Sequence, residues 1–353
     1  MRLSRIATAC AVAATPCLLP SAALANGCIA QYSSQYLCAV GDNSKGTARN
    51  TISTPGLNSL SLIGQVGGGA ARSPFAAALG QRYALGDNEP QTGLAAATGA
   101  SRWSIWGALG ENHLAYSFQP ARSEGRSTLT LGGVDYTFAN NVVLGVAATM
   151  DRTRTVFQAN INSPLSSNGY SIAPYISVPL SRNWLLDASV GLGDSKIKVT
   201  DYNAPGEGNT KSDRTYFSAG VSYAARTGSW NLTGKANYLQ SEDKIASFTM
   251  TDRTFVPASN IRVSQMRLGV QAAYNAGIFV PFAGLTYIRD LQSPNQAALA
   301  GQNPANDKDS FLVALGVNVY SRGMVSGGIL YTTETARSQV KNDVFMANIA
   351  LRF

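Results

Sequence analysis

The chain has 353 residues, a formal net charge of +8 and only 14% charged residues. Soluble globular domains usually carry about 25% charged residues. The positive charge comes without a Lys/Arg cluster, so nucleic-acid binding has no support. After residue 25, no run approaches the ~18 consecutive apolar residues that a membrane-spanning helix needs. With 34 glycines and 15 tyrosines, the composition favours an exported β-protein over a cytosolic enzyme or a helical membrane protein.

The first 25 residues have the pattern of a secretory signal peptide. Arg2 and Arg5 form a positive N-terminal region, and residues 6–19 are mostly apolar. An Ala-x-Ala motif ends at Ala25, which predicts cleavage between Ala25 and Asn26. The protein is therefore expected to leave the cytoplasm through the Sec translocon.

Two other interpretations of this segment are weaker. A transmembrane anchor is disfavoured because Pro16 and Pro20 interrupt the apolar run and no stop-transfer charges follow. A lipoprotein signal ending at Cys28 remains the alternative, although residues 25–27 are a poor approach to a lipidated cysteine.

Cys28 and Cys38 are the two cysteines that remain after Cys10 and Cys17 are removed with the signal. In an oxidising compartment, a disulfide that closes a small loop is the natural expectation. We favour a structural role for this loop, protecting a flexible end, over a redox role. Residues 26–72 are predicted to be a short passenger or linker that contains it.

One helix is predicted before the strands begin. Ser73 can cap it, Pro74 suits the first helical position, residues 75–85 continue it and Gly86 ends it. At 1.5 Å per residue such a helix is roughly 18 Å long, a useful fraction of a bilayer.

From residue 102 the pattern changes to repeated strands and turns, which define a barrel domain over residues 101–353. Along the strands, apolar residues such as Trp184 and Leu186 alternate with polar or small ones such as Asp187 and Ser189. A change of parity at Gly132-Gly133 suggests a bulge or a tight bend. The twelve predicted strands cover residues 102–111, 127–138, 142–152, 169–180, 184–199, 214–225, 230–248, 260–274, 278–290, 309–320, 324–336 and 343–353.

The connections between these strands alternate between short turns and longer polar stretches, such as residues 153–168, 200–213, 249–259 and 291–308. Short periplasmic turns and longer extracellular loops produce this rhythm. The fold class is therefore all-β, a twelve-stranded antiparallel transmembrane β-barrel in the bacterial outer membrane. Aromatic girdles are expected from residues near strand ends: Trp103, Trp106, Tyr136, Trp184 and Trp230.

The last ten residues alternate most regularly, with Phe345, Ile349, Leu351 and Phe353 on one face. An apolar edge of this kind invites aggregation in water, but lipid accepts it when the strand closes a barrel. We expect this strand to close the barrel. By the same alternation, the charged residues Asp187, Lys235, Arg267 and Arg352 are predicted to point into the lumen.

The sequence predicts no catalytic, cofactor-binding or metal site. The one histidine, His113, is expected in the first extracellular loop, where a solvated side chain is much commoner than a general base. No second histidine can complete a catalytic triad or a zinc site.

Several segments resemble the translocator β-domain of autotransporters, the type V secretion proteins. They are residues 103–107 (WSIWG), 131–136 (LGGVDY), 141–147 (NVVLGVA), 168–175 (NGYSIAPY) and the terminal strand that ends in Phe353. The resemblance implies a twelve-stranded barrel plugged by an α-helix that links it to an exported passenger. Residues 73–100 stand where the plug helix and its lead-in belong.

The resemblance also implies partners and a role. Phe345, Ile349, Leu351 and Phe353 would serve as the signal read by the barrel assembly machinery, after transport with periplasmic chaperones. The chain would sit among outer-membrane lipid and lipopolysaccharide as a monomer, and would display its own N-terminal segment. Only about 75 residues separate the signal from the barrel, so a stand-alone porin-like or structural barrel without cargo is the alternative.

Overall fold

The computed structural model describes residues 102–117, 123–157, 163–181, 183–201, 206–253, 255–256, 258–292, 308–320, 325–338 and 340–353. These residues form fourteen β-strands: β1 Trp103–Tyr116, β2 Ser123–Thr137, β3 Val143–Phe157, β4 Ser163–Pro179, β5 Trp184–Asp201, β6 Gly206–Thr227, β7 Trp230–Ile245, β8 Phe248–Thr249, β9 Phe255–Val256, β10 Ser259–Tyr274, β11 Phe279–Gln292, β12 Asp309–Tyr320, β13 Val325–Thr335 and β14 Val340–Arg352.

Twelve of these strands close into one antiparallel barrel, while β8 and β9 form a separate two-stranded hairpin. Each barrel strand pairs with its neighbours in sequence, except that β7 pairs with β10 across the hairpin. The barrel closes where β1 pairs with β14, from Ser104 opposite Arg352 to Tyr116 opposite Val340. The predicted twelve-stranded barrel is therefore confirmed.

The strands follow from the alternation of residue types. Along β6, buried and exposed positions alternate over almost the whole strand. Large exposed apolar side chains such as Leu192, Val270 and Leu315 lie on the outer face, and the positions between them face the lumen. Because successive side chains point to opposite faces of a strand, one sequence can satisfy lipid outside and polar groups inside.

The predicted strands end at the right residues at one rim, but most of them stop short of the observed ends at the other rim. β5 and β7 begin at Trp184 and Trp230, as predicted, but β6 begins at Gly206 instead of residue 214. Likewise β4 begins at Ser163, so the polar stretches predicted as loops at 153–168 and 200–213 are mostly strand. We name this rim, which also carries the longest connections, the extracellular rim.

The end of β7 is a second difference. The strand stops at Ile245 rather than residue 248, and Phe248 belongs to the β8–β9 hairpin within the connection predicted as a polar loop. Phe248 and Met250 are buried, and both pack against Gly208 of β6. Thr251 N also donates to Glu207 O at 3.0 Å, and Glu207 N donates to Thr251 Oγ1 at 2.9 Å, so apolar contacts and hydrogen bonds together hold the hairpin on β6.

The bulge predicted at Gly132-Gly133 is wrong. Both glycines keep an unbroken register with β1 and β3. The register shift lies instead in β10, between Ser264 and Gln265. In the part of the chain that the structure describes, we find no helix long and apolar enough to cross a membrane.

Candidate functional site: the lining of the lumen

The lumen is lined by small polar side chains and, in similar number, by apolar ones. They project inward because they occupy the alternate positions to the apolar outer residues. Buried inward-facing examples are Ser104, Thr149, Ser171, Ser212, Asn237 and Thr332. A contiguous apolar cluster, which includes Leu131, Phe282 and Met346, covers another part of the wall.

A buried ion triad crosses the lining between non-adjacent strands. Arg214 of β6 donates to Asp151 of β3 at 2.9 Å and to Asp243 of β7 at 3.0 Å. All three side chains are almost fully buried. Burial disfavours an isolated charge strongly, and here the guanidinium of Arg214 lies between the two carboxylates that compensate it.

Asp187 and Lys235 form a second cross-strand pair, and both face inward as predicted. Lys235 Nζ on β7 donates to Asp187 Oδ1 on β5 at 3.4 Å. The pair passes over β6 at Gly220, where a Cβ atom would lie 3.2 Å from Asp187 Oδ2. The missing side chain of Gly220 leaves room for this contact.

A larger network lies near the extracellular rim. Arg337, just after β13, bonds to Asp290 of β11 at 3.0 Å and to Glu334 at 2.8 Å. Arg267 donates to Gln265 at 2.7 Å, and Gln265 in turn donates to Asp290 at 2.8 Å. These bonds tie β10, β11 and β13 together from the inside.

Tyr175 makes a further link on the opposite side of the lumen. Its hydroxyl donates to Asp135 of β2 at 2.8 Å and accepts a bond from Trp106 Nε1 of β1 at 2.9 Å. To reach them from β4, the ring lies over β3 at Gly145, where a Cβ atom would overlap it. Gly169 serves the ion triad similarly, since a Cβ atom there would lie 2.6 Å from Asp151 Oδ1.

The outer face carries two aromatic girdles, and the periplasmic one agrees with the prediction for four of its five residues. Directly opposed pairs with ring centroids 5.0–5.1 Å apart lie at that rim: Trp103–Tyr136, Trp184–Tyr223 and Trp230–Tyr274. Trp106 is the exception, because its ring points into the lumen and is 8% exposed.

The second girdle marks the other edge of the apolar belt. Each of its tyrosines donates to an aspartate on the next strand: Tyr170 to Asp194 directly opposite, and Tyr287 to Asp309 and Tyr331 to Asp343 two residues farther out. Such rings suit the boundary between hydrocarbon and headgroups, with the ring in lipid and the hydroxyl among polar groups.

The remaining predicted site residues fall into three groups. Phe345, Ile349, Leu351 and Phe353 are exposed on the outer face. Arg352 ends β14, but its side chain lies outside what the structure describes. Entirely outside the described residues are the predicted signal cleavage site, disulfide and plug helix, with Ala25, Asn26, Cys28, Cys38, Ser73, Pro74 and Gly86.

The position of His113 corrects the sequence prediction. It lies in β1, opposite Asp343 and Arg126, and not in a loop. Its imidazole contacts Glu111 at 3.2 Å, with both side chains about half exposed. Within the described ranges, no group of three or more His, Cys, Asp or Glu side chains is placed to hold a metal ion.

Sequence reasoning missed most of the ionic lining: Asp135, Asp151, Arg214, Asp243, Asp290, Glu334 and Arg337. Alternation would have placed those within predicted strands on the inner face. It gives no information about partners, because Asp151 and Arg214 meet only through closure of the barrel.

A closed antiparallel barrel with an apolar outer belt, two aromatic girdles and a polar lumen is an outer-membrane β-barrel. The family model described as the autotransporter beta-domain matches residues 105–332. The chain therefore belongs to the autotransporter β-domain family, and its barrel is an outer-membrane translocator.

Three solved structures share the fold. The translocator domain of autotransporter NalP from Neisseria meningitidis is 14% identical with a TM-score of 0.62, and the match covers 79% of this chain and 96% of that one. The β-domain of the Bordetella autotransporter BrkA is 12% identical with a TM-score of 0.60, and the match covers 71% of this chain and 100% of that one. The transport unit of the autotransporter AIDA-I from Escherichia coli is 10% identical with a TM-score of 0.58, and the match covers 73% of this chain and 92% of that one. No curated protein sequence matches the chain.

Proposed function

We propose that the barrel carries the N-terminal segment of its own chain, residues 26–72, to the cell surface. The helix at residues 73–86 then stays in the lumen as a plug. Membership of the autotransporter family supports this role. The role is mechanical and uses no reaction at the side chains of the chain.

The observation that carries the proposal is the charged and polar lining of the lumen. A barrel of eight strands has an interior just filled by its own side chains, whereas sixteen strands leave an aqueous channel. Twelve strands lie between these cases, which favours an interior that admits one polypeptide segment. The polar part of the wall, for example the Asp187–Lys235 pair, can exchange hydrogen bonds with the backbone of a passing segment.

The terminal strand is proposed to act before transport, as the signal that the barrel assembly machinery reads. Phe345, Ile349, Leu351 and Phe353 form one apolar row on its outer face. The chain would reach the machinery through the Sec translocon, after cleavage between Ala25 and Asn26, with periplasmic chaperones shielding such rows from aggregation.

The second candidate function is a stand-alone barrel that exports nothing. The short segment before β1 favours it, since only about 75 residues lie between the predicted cleavage site and Trp103. In that case residues 26–100 stay on the periplasmic side or inside the lumen.

Protease treatment of intact cells separates the two candidates. One epitope tag is placed after Cys38, and a control tag between Asp201 and Gly206, at the extracellular rim. The export proposal expects external protease to remove both tags while a periplasmic marker protein stays intact. If the control tag is cut and the tag at Cys38 persists, the segment is not exported and the stand-alone barrel is correct.

A further inference from the structure

Two rows of outward-facing side chains run across β2–β6 on the extracellular side of the apolar belt. The row nearer the membrane joins Thr128, Arg152, Asn168, Lys196 and Lys211 as successive register partners. The next row joins Arg126, Arg154, Ser166, Lys198 and Asn209 in the same way. Of these ten positions six are cationic, four are neutral and none is acidic. We call these two rows the cationic rows.

The registers place like charges directly opposite each other. Arg126 faces Arg154 across β2 and β3, and Lys196 faces Lys211 across β5 and β6. Like charges in directly opposed positions destabilise a sheet unless something compensates them. Among the described residues, none of these four side chains has a carboxylate oxygen within 4.0 Å.

Acidic residues border the rows but do not lie within them. Glu111 on β1 lies opposite Thr128 and contacts His113 at 3.2 Å, and Glu124 lies two residues beyond Arg126 on β2. Glu207, beyond the rows, pairs with Lys198 at 2.8 Å. Asp194 lies one position nearer the membrane and accepts the hydroxyl of Tyr170, while its opposite residue, Asp213, faces Lys244 on the other side. The rows themselves therefore remain a continuous cationic strip about five strands wide.

The far side of the barrel, at the same height, is built differently. Three of its outward cations have a carboxylate partner: Arg262 with Glu242 at 3.1 Å, Arg289 with Asp309 at 3.4 Å and Lys341 with Asp343 at 3.3 Å. Three cations on β10–β14 are thus paired with carboxylates, whereas of the six cations in the rows on β2–β6 only Lys198 has a carboxylate partner among the described residues. The asymmetry indicates that an external anion belongs on one side only.

The height of the rows identifies the kind of anion. On β3, Arg152 follows two residues after Met150, which is 69% exposed on the lipid-facing surface. Two residues advance a strand by about 6.6 Å, or roughly 5 Å along the membrane normal at the usual tilt. This is the level just outside the hydrocarbon, on the extracellular rim, where the outer leaflet places its headgroup phosphates.

We propose that the cationic rows bind the phosphate groups of lipopolysaccharide, so that one side of the barrel holds a layer of this lipid. Arginine suits the role because its guanidinium can donate two parallel bonds to one phosphate. Arg152 is already oriented by a 3.0 Å bond from its Nε to Asn168 Oδ1, which leaves its terminal nitrogens free to reach outward. The fate of residues 26–72 plays no part in this site.

The test uses the full chain purified in detergent, with diphosphorylated lipid A, dephosphorylated lipid A and inorganic phosphate as separate probes in native mass spectrometry. The wild type is expected to retain diphosphorylated lipid A and to lose most binding when the phosphates are removed. The triple variant Arg126→Gln, Arg154→Gln, Lys196→Gln should bind diphosphorylated lipid A about tenfold or more weakly.

A matched control is available on the opposite side. The triple variant Arg262→Gln, Arg289→Gln, Lys341→Gln also removes two arginines and one lysine, and it should bind as the wild type does. Equal binding of both lipids by the wild type overturns the proposal without any variant. So does equal loss in the two triple variants, or displacement of the lipid by inorganic phosphate alone at similar concentration, which would indicate a simple anion site.

Discussion

Arg214 on β6 donates a 2.9 Å bond to Asp151 on β3, although two strands separate them in the barrel wall. The bond therefore spans the inner curvature of the wall instead of following a register pair. It holds four consecutive strands at a fixed curvature, because any flattening of the sheet would pull the two groups apart.

The first prediction concerns this bond. Arg214→Met leaves Asp151 and Asp243 buried side by side without a cation, and loss of one partner from a buried pair costs about 3–5 kcal/mol. Urea unfolding of the barrel in lipid vesicles should show a decrease of that size. Arg226→Met, at an exposed site on the same strand, should change the free energy of unfolding by less than about 0.5 kcal/mol.

A rescue experiment separates charge from packing in the same site. Adding Asp151→Asn and Asp243→Asn to Arg214→Met removes both uncompensated charges, so part of the lost stability should return. If the triple variant is no more stable than Arg214→Met, packing and not charge is responsible.

The second prediction concerns the glycine beneath Tyr175. Gly145→Ala places a methyl group where the ring lies, so the ring must move and its bonds to Asp135 and Trp106 are strained or lost. We expect a loss of about 1–3 kcal/mol, as for other overpacked sites. Gly234→Ala is the control, because a Cβ atom there meets nothing within 4 Å. Equal free energies of unfolding for the two variants would show that the contact between the ring of Tyr175 and the backbone at Gly145 does not stabilise the barrel.

The third prediction concerns the end of the chain. Phe353→Asp should lower the amount of folded barrel in the outer membrane strongly, if the terminal row is the assembly signal. Phe279→Asp provides a control for the cost of a charge in lipid, because Phe279 is 51% exposed and Phe353 is 52% exposed. Similar levels for both variants, measured by fractionation and heat-modifiable gel mobility, would mean that Phe353 has no special part in assembly.

The fourth prediction concerns Cys28 and Cys38. Protein isolated from the outer membrane should begin at Asn26, and its intact mass should be lower than that of the reduced form by two hydrogen atoms. An alkylating reagent should modify neither cysteine before reduction and both afterwards. Modification without a reducing agent would show that the disulfide is absent, and a lipid-sized mass increase at Cys28 would identify a lipoprotein instead.

The sequence was sufficient for the strand count and the periplasmic strand ends. Trp184 and Trp230 each combine a strand boundary with a turn and an aromatic girdle, so several signals coincide at one residue. The extracellular ends were missed because the outer face there changes from apolar to charged. In the segment from Arg152 to Thr155, arginines alternate with threonines, and a search for apolar alternation interprets that pattern as a loop.

The lining of the lumen was predictable only in part. Alternation placed Asp187, Lys235 and Arg267 inside, but contacts such as Arg214–Asp151 depend on how far the closed wall curves. Trp106 was assigned to the girdle because tryptophan near a strand end is usually interfacial. Trp106 points inward because it alternates along β1 with Ser104 and Ala108, which also face the lumen. The sequence contained this alternation, but the prediction gave more weight to the residue type.

Because the strands differ in length, the extracellular rim of the barrel is not level. β6 has 22 residues and β13 has 11, and both begin or end near the same periplasmic rim. At ~3.3 Å per residue and a tilt of ~40°, the paired wall stands about 55 Å high at β6 and about 28 Å high at β13. The paired wall is therefore about twice as high beside the cationic rows, at β6, as it is at β13, so the edge formed by the described strands slopes across the extracellular rim.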